Sequence, residues 1–150
     1  MIRLSTKGRY GTRLMLNLAR HYGNGSDAVI LKHIAEDERI SIRYLEQIII
    51  PLKINRLVKS IRGAGGGYTL ARKPDDIKLS EILQALEGNC CLVECLEDGS
   101  HCEFAETCPT FDIWKGATDL LKNYFDSLTL KDVLVQAEKK DKRLKASRAR

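Results

Sequence analysis

Tyr10, Leu14, Leu18 and Tyr22 recur at four-residue steps, and that period predicts an amphipathic helix over residues 7–21. Gly23-Asn24-Gly25-Ser26 stops it. A short helix follows, with Leu31, Ile34 and Ala35 turned inward and Glu36-Asp37-Glu38 outward, and Arg39-Ile40 makes the next turn. Ser41 is placed to cap a third helix, because its hydroxyl oxygen can accept from a free first-turn amide. Leu45, Ile48, Ile49 and Leu52 share one face of that helix, and Pro51 predicts a distorted last turn or an early end. Two β-prone runs, 57–62 and 68–70, flank Gly63-Ala64-Gly65-Gly66-Gly67, which predicts a hairpin. Pro74-Asp75-Asp76 breaks the chain before a short helix over 80–86 that carries Ile82, Leu83 and Leu86 inward and stops at Gly88. Residues 89–108 lack any period and read as a long loop, a feature that is usually functional or disordered in a compact domain. Thr107 is placed to cap a further helix with Pro109 in its first turn, running to residue 128 behind a broad apolar face of Ile113, Trp114, Ala117, Leu120, Leu121, Tyr124 and Phe125. Thr129-Leu130-Lys131-Asp132 resembles a capping box and predicts a last, short helix.

These elements define a mainly α chain with a small β-hairpin. Two short helices joined by a tight turn and followed by a hairpin make a winged helix-turn-helix. The 150 residues correspond to one domain, or one domain plus a small appendage, which can bury a sufficient core without disulfides. No apolar run approaches the roughly 18 residues a membrane span needs, and the N-terminus carries no apolar signal core, so a cytoplasmic protein is expected. No internal repeat is visible.

Charge sharpens the picture. The formal net charge of +5 conceals three blocks: residues 1–73 carry +9, residues 74–137 carry −9 and residues 138–150 carry +5. All five cysteines, Cys90, Cys91, Cys95, Cys102 and Cys108, fall in the acidic block. The reading is a basic half suited to a polyanion, an acidic half bearing thiols, and a basic, flexible tail without an apolar stripe.

The basic half supplies chemistry for double-stranded DNA. The second short helix would enter the major groove by its N-terminal residues Ser41, Arg43 and Tyr44, with Glu46 and Gln47 one turn on. Arginine forks onto guanine, glutamine onto adenine, and glutamate accepts from cytosine. Arg62 stands just before the hairpin tip, where an arginine reaches a narrow minor groove. Lys59, Arg3, Lys7 and Arg9 would meet phosphates, and glycines such as Gly66 let the backbone turn tightly and come close. A phosphate-binding loop is disfavoured, since no Gly-Lys-Ser/Thr follows the glycines and Tyr68 stands where a third fingerprint glycine would fall. The plainer readings are that the charge is only a solvated surface, Ser41 only a cap and Tyr44 only core.

Cys95-x6-Cys102-x5-Cys108 places three thiols in one loop. An odd cysteine count in a cytoplasmic chain is not a disulfide framework. Soft thiolates suit zinc or an iron-sulfur cluster, and the absence of paired C-x-x-C spacing disfavours zinc. Cys108, near a helix start, would favour its thiolate. The plainer reading is a set of free, reduced thiols. A thiol redox enzyme is the rival from another class; the lack of C-x-x-C speaks against it, and no catalytic role is assigned.

Leu4-Ser5-Thr6-Lys7-Gly8-Arg9-Tyr10, Ile40-Ser41-Ile42-Arg43-Tyr44-Leu45-Glu46-Gln47 and Ser60-Ile61-Arg62-Gly63-Ala64-Gly65-Gly66-Gly67-Tyr68 occur in that order. Together they resemble the Rrf2 family of bacterial transcription regulators over about residues 1–135. The resemblance implies a homodimer of winged-helix subunits joined largely through the long helix at 109–128, bound to a palindromic operator, typically as a repressor. It implies that Arg62 is the wing's minor-groove arginine and that Arg43, Tyr44, Glu46 and Gln47 line the recognition helix. The cysteine loop resembles that of the family's cluster-binding branch, in which Cys95, Cys102 and Cys108 would ligate a 2Fe-2S cluster, or a 4Fe-4S cluster as in its nitric-oxide sensors.

Several positions depart from that pattern. The first cysteine spacing is one residue longer than usual, Phe111 stands where a ligand histidine lies in one branch, and Arg9 where another has an aspartate. The fourth ligand is left open among Asp112, His101, Glu106, Cys91 and Cys90. Arg43 replaces a smaller residue, which implies a different operator. Arg56 replaces a glycine of the turn before the wing, which implies that this turn needs no positive backbone angle. The family's cysteine-metabolism repressors, which act without a cluster through a partner enzyme of cysteine synthesis, are the alternative.

Overall fold

The computed structural model describes residues 3–23, 28–89, 91–97 and 102–148. Its elements run α1 (Thr6–His21), α2 (Leu31–Glu38), α3 (Ile42–Ile54), β1 (Val58–Ile61), β2 (Gly67–Leu70), α4 (Leu79–Glu87), α5 (Phe111–Asp126) and α6 (Leu130–Arg148), with 3-10 turns at Pro74–Asp76 and Glu94–Leu96. This is the winged helix-turn-helix that the hydrophobic pattern predicts.

Local chemistry sets the ends of the first three helices. Ser5 caps α1, its Oγ accepting from the Gly8 amide at 3.1 Å. Arg39 closes α2 in the left-handed region (φ 53°), which turns the chain sharply into α3. Ser41 caps α3 as predicted, accepting from the Tyr44 amide at 3.3 Å. Pro51 does not end α3 early. It lies in the last turns, where it removes only the bond to Gln47, and its own carbonyl accepts both the Asn55 amide at 3.0 Å and the Asn55 side chain at 2.9 Å. Three buried layers then meet: Leu14, Met15 and Leu18 of α1, Ile34 of α2, and Leu45, Ile48, Ile49 and Leu52 of α3. Each such side chain contributes about 1.5–3 kcal/mol of burial, which holds α3 by its inner face and leaves its outer face free.

The turn after α3 corrects the expectation for Arg56, which does take a positive angle (φ 55°). The left-handed residue lets the Arg56 amide reach the Lys53 carbonyl and the Leu57 amide reach Leu52, so the chain reverses within one residue of the helix. β1 and β2 pair antiparallel in the register Val58↔Leu70, Lys59↔Thr69, Ser60↔Tyr68 and Ile61↔Gly67. Val29, ahead of α2, adds a bridge to Tyr68 through bonds of 2.9 and 2.8 Å and so anchors the wing to the helix-turn-helix.

The acidic region shares the same core. Ile77, Ile82, Leu86, Leu130 and Leu134 are buried in one cluster with the side chains of α1 and α3. The Leu130 amide donates to Ile77 and the Leu79 amide to Leu128, which returns the chain to α4 before α6 begins. The predicted capping box forms: Thr129 N–H and hydroxyl donate to Asp132 Oδ2 at 2.9 and 2.7 Å, and the Asp132 amide donates to Thr129 Oγ1 at 3.2 Å. The length of the last helix and the start of the one before it are corrected here. The final helix is not short but runs 19 residues, so the basic tail continues it as far as Arg148, with exposed side chains over 138–147 and an Arg20–Asp141 ion pair at 3.3 Å. The helix before it starts at Phe111, capped by the backbone of Thr110, because Thr107 is spent in the preceding turn, its amide and hydroxyl both donating to the Phe104 carbonyl.

Candidate nucleic-acid interface and thiol loop

The outer face of α3 lies opposite its buried side chains. Arg43, Glu46 and Gln47 are exposed there, and Ser41 at the cap is exposed too. Ser41 Oγ is already an acceptor for the helix, which leaves its O–H to donate outward. Tyr44 is half-buried, its ring edge-on to Tyr10 with centroids 5.9 Å apart. The Arg13 guanidinium lies 5.5 Å from the Tyr10 ring and pairs with Glu38 at 2.9 Å, so one arginine ties α1, α2 and the aromatic pair together. Tyr44 is therefore a positioning group on its inner side as well as a surface residue.

The wing presents Lys59 and Arg62 exposed, with Arg62 immediately after β1. At the tip, the Gly66 amide donates to Gly63 at 2.9 Å. Lys53 Nζ sits 5.9 Å from the centre of the Tyr68 ring, a cation–π contact that fixes the wing against the end of α3. Lys7 and Arg9 lie in the first turns of α1; Arg9 is exposed and reaches Thr6 Oγ1 at 3.3 Å. Thus the fold presents the predicted basic and polar residues on α3, on the wing and at the start of α1. Tyr68, Val29, Tyr10 and Arg13, which orient those elements, carry no chemistry that spacing alone would single out.

The thiol loop is organised differently. Cys91 donates to the Leu96 carbonyl at 3.2 Å, Cys95 is half-buried in the 3-10 turn, and Cys102 is exposed. Cys108 Sγ lies 3.4 Å from Thr110 Oγ1. That hydroxyl, then the Thr110 amide, hold the Cys108 thiol below its ordinary pKa, outweighing the opposing effect of burial. All four described cysteines are free thiols. Cys90 and His101, two of the possible fourth ligands, lie outside the described residues. The donor chemistry suits a cluster, but the placement does not: among the described residues no three of His, Cys, Asp or Glu converge, so Cys95, Cys102 and Cys108 are not brought together, and neither Asp112 nor Glu106 completes a set.

Beyond the loop, α5 leaves its apolar side uncovered. Ile113, Trp114, Leu120, Leu121 and Tyr124 are exposed, Leu120 to 73%. A contiguous apolar face of this kind marks an interaction surface.

Comparison with known proteins agrees with this architecture. Residues 4–136 match the Rrf2 family, described as an iron-dependent transcriptional regulator. The HTH-type transcriptional regulator CymR of Bacillus subtilis is 42% identical over 132 residues, spanning 88% of this chain and 89% of that protein. Its solved structure, described as that of the global cysteine regulator, superposes with a TM-score of 0.74 over 91% of this chain and 98% of that one. The structure of IscR from T. potens is 40% identical, also with a TM-score of 0.74, over 92% and 90% of the two chains. These relatives are transcriptional regulators and not enzymes. With a winged helix-turn-helix, an exposed polar outer face at the start of α3 and a match along nearly its whole length, this chain belongs to the Rrf2 family of transcriptional regulators.

Proposed function

We propose that the chain is a cytoplasmic homodimer that binds a palindromic operator and represses transcription from it, with the thiol loop as its sensing element. The observation that carries the reading is the outer face of α3, where Arg43, Glu46 and Gln47 stand exposed on a helix locked from behind by its core residues. In this reading Arg43 forks onto guanine, Gln47 onto adenine and Glu46 accepts from cytosine. Ser41 and Tyr44 hold the entry of the helix, while Lys59, Lys7 and Arg9 meet phosphates. Arg62 enters the minor groove from a wing kept narrow at Gly66. The open face of α5 supports self-association, since two copies would cover each other's Leu120 and Tyr124. Footprinting on the gene's own promoter tests the reading. Arg62→Ala is expected to weaken operator binding about tenfold or more while leaving the fold intact; an unchanged footprint and affinity would remove Arg62 from the interface.

Control acts through loop 89–108. The family's iron dependence and three soft donors in one loop favour a cluster, 2Fe-2S before 4Fe-4S, whose assembly requires the loop to draw Cys95, Cys102 and Cys108 together. The cluster-free reading rests on a separate observation, the free and unconverged thiols, together with likeness to the global cysteine regulator; in that case thiol state, or a partner enzyme of sulfur metabolism, controls binding. Anaerobic reconstitution with iron and sulfide separates the two. A coloured protein that holds iron and loses it on Cys102→Ser supports the cluster, and a colourless, iron-free protein after reconstitution rules it out.

A further inference from the structure

The outer line of α3 continues past its polar residues. At 100° per residue, Arg43, Gln47, Ile50 and Ile54 fall within about 60° of arc. Leu45, Ile48, Ile49 and Leu52, all buried, occupy the opposite side. Ile50 is 57% exposed and Ile54 74%, although both are large and apolar. Ile50 is thus largely open on the outer face of α3, whereas the uncovered apolar face attributed to self-association lies on a different helix, α5. Along the axis, Ile50 lies about 10 Å from Arg43 and about 4.5 Å beyond Gln47. It is flanked by Lys53 on its own helix and shares its stripe with the two residues best suited to read bases.

A helix seated in the major groove meets one apolar group on the base edges, the C5-methyl of thymine. Resting on the operator reading above, we infer that Ile50 is a specificity residue that packs on a thymine methyl. At 3.4 Å per base pair, this thymine lies one or two base pairs beyond the base read by Gln47. The surrounding charge explains why an apolar side chain is useful there: Arg43, Lys53, Lys59 and Arg62 supply attraction to any duplex, while a methyl contact distinguishes thymine from cytosine. Ile54, a further turn along, lies about 16 Å from Arg43 and about 6 Å farther than Ile50 from the end of the helix that enters the groove, and it serves as an internal control.

The test uses the full chain and the footprinted operator, with each thymine replaced singly by deoxyuridine, a change that removes only the methyl group. Wild type is expected to lose about threefold to fivefold in affinity at one thymine of each half-site and nothing elsewhere. Ile50→Ala, which changes an exposed residue and is expected to keep its thermal melt, should bind thymine and uracil equally at that position. Ile54→Ala should retain the discrimination. Equal binding of every uracil duplex by wild type overturns the inference, as does an Ile50→Ala protein that still discriminates. Absence of any footprint overturns the operator reading itself, so the two failures are distinguishable.

Discussion

A glycine-to-alanine scan of the wing tip separates backbone geometry from mere flexibility. A Cβ added at Gly66 would lie 2.6 Å from the Ile61 carbonyl oxygen, 2.8 Å from the Gly63 oxygen and 3.2 Å from the Arg62 carbonyl carbon. All three are backbone atoms, and both oxygens lie under 3.0 Å, so no side chain can swing aside to relieve them. The tip must open, losing the 2.9 Å bond from Gly66 to Gly63 and shifting the segment that carries Arg62. The lost bond costs about 1 kcal/mol and the residual crowding about 1–3 kcal/mol, so Gly66→Ala should destabilise by roughly 2–4 kcal/mol. At Gly65 an added Cβ meets nothing within 4 Å, so Gly65→Ala should be neutral or stabilise by about 0.4–1 kcal/mol through the unfolded chain. Urea unfolding measures the first effect. Affinity for the operator and for an unrelated duplex measures the second, with Gly66→Ala expected to lose about tenfold on the operator and less on the unrelated DNA. If the two variants match in both stability and operator affinity, the close approach at the tip has no consequence and the account of the wing is wrong.

Other expectations follow from single groups. Arg56→Gly should stabilise the chain by about 0.5–1 kcal/mol in urea unfolding, because relief of a left-handed residue, about 1–2 kcal/mol, exceeds the extra entropy glycine loses; a loss of stability would show that the arginine side chain holds the turn. The bonds from Thr129 hold the Asp132 carboxyl below the usual carboxylate range, so its contribution is fully present above that range and lost as pH falls through the depressed value. The stability gap between wild type and Asp132→Asn should therefore be widest near neutrality and close in acid; a gap independent of pH would contradict this. In metal-free protein, Thr110→Val should slow alkylation of Cys108 at neutral pH, since the hydroxyl that favours the thiolate is gone and the threonine side chain makes no cap bond whose loss would unravel α5. Peptide mapping reads this out, and an unchanged rate would assign the thiolate to the backbone amides alone.

What the sequence made legible follows the strength of the local signal. The period of Tyr10, Leu14 and Leu18, the Ser41 cap and the Thr129–Asp132 box are each encoded within a few residues, and each appears as read. The start of α5 was misplaced at Thr107 because Thr107 and Thr110 are both capping residue types astride Pro109. The choice fell to the turn at 103–107, whose bonds are not visible in composition. The length of α6 escaped because an apolar stripe was the signal sought, whereas the helix continues on Glu, Lys, Gln, Ala and Arg, which favour helix without burial. The positive angle at Arg56 carries no local signature at all, since the residue type argues against it. For the thiols, spacing describes what a loop can reach and says nothing of where its backbone lies, and among the described residues no three ligating side chains converge.

The position of α4 joins the two halves of the molecule. It ends at Glu87, just ahead of the thiol loop, and Ser5, the cap of α1, donates to Glu87 Oε1. Gly8 and Gly11 allow that approach: a Cβ at either would lie 2.1 Å from Glu87 Oε1 or 2.2 Å from Leu86 Cδ1, so α1 rests directly on α4. From the same helix, Glu81 accepts both terminal nitrogens of Arg72, which follows the second wing strand, and Ser80 bonds to Asp126 at the end of α5. One helix thus touches the base of the wing, the helix that backs Tyr44, and the helix that leads away from the thiols. In the regulatory reading proposed above, a change in loop 89–108 that shifts α5 would reach α1 and the wing through α4. Because these links are side-chain bonds at the ends of short helices, a displacement of less than a hydrogen-bond length is enough to break one. The acidic half is accordingly more than an appendage to a basic reader: Ile77, Leu86 and Leu130 complete the core against which α1 and α3 are packed, so the outer face of α3 is held from behind by residues of both halves.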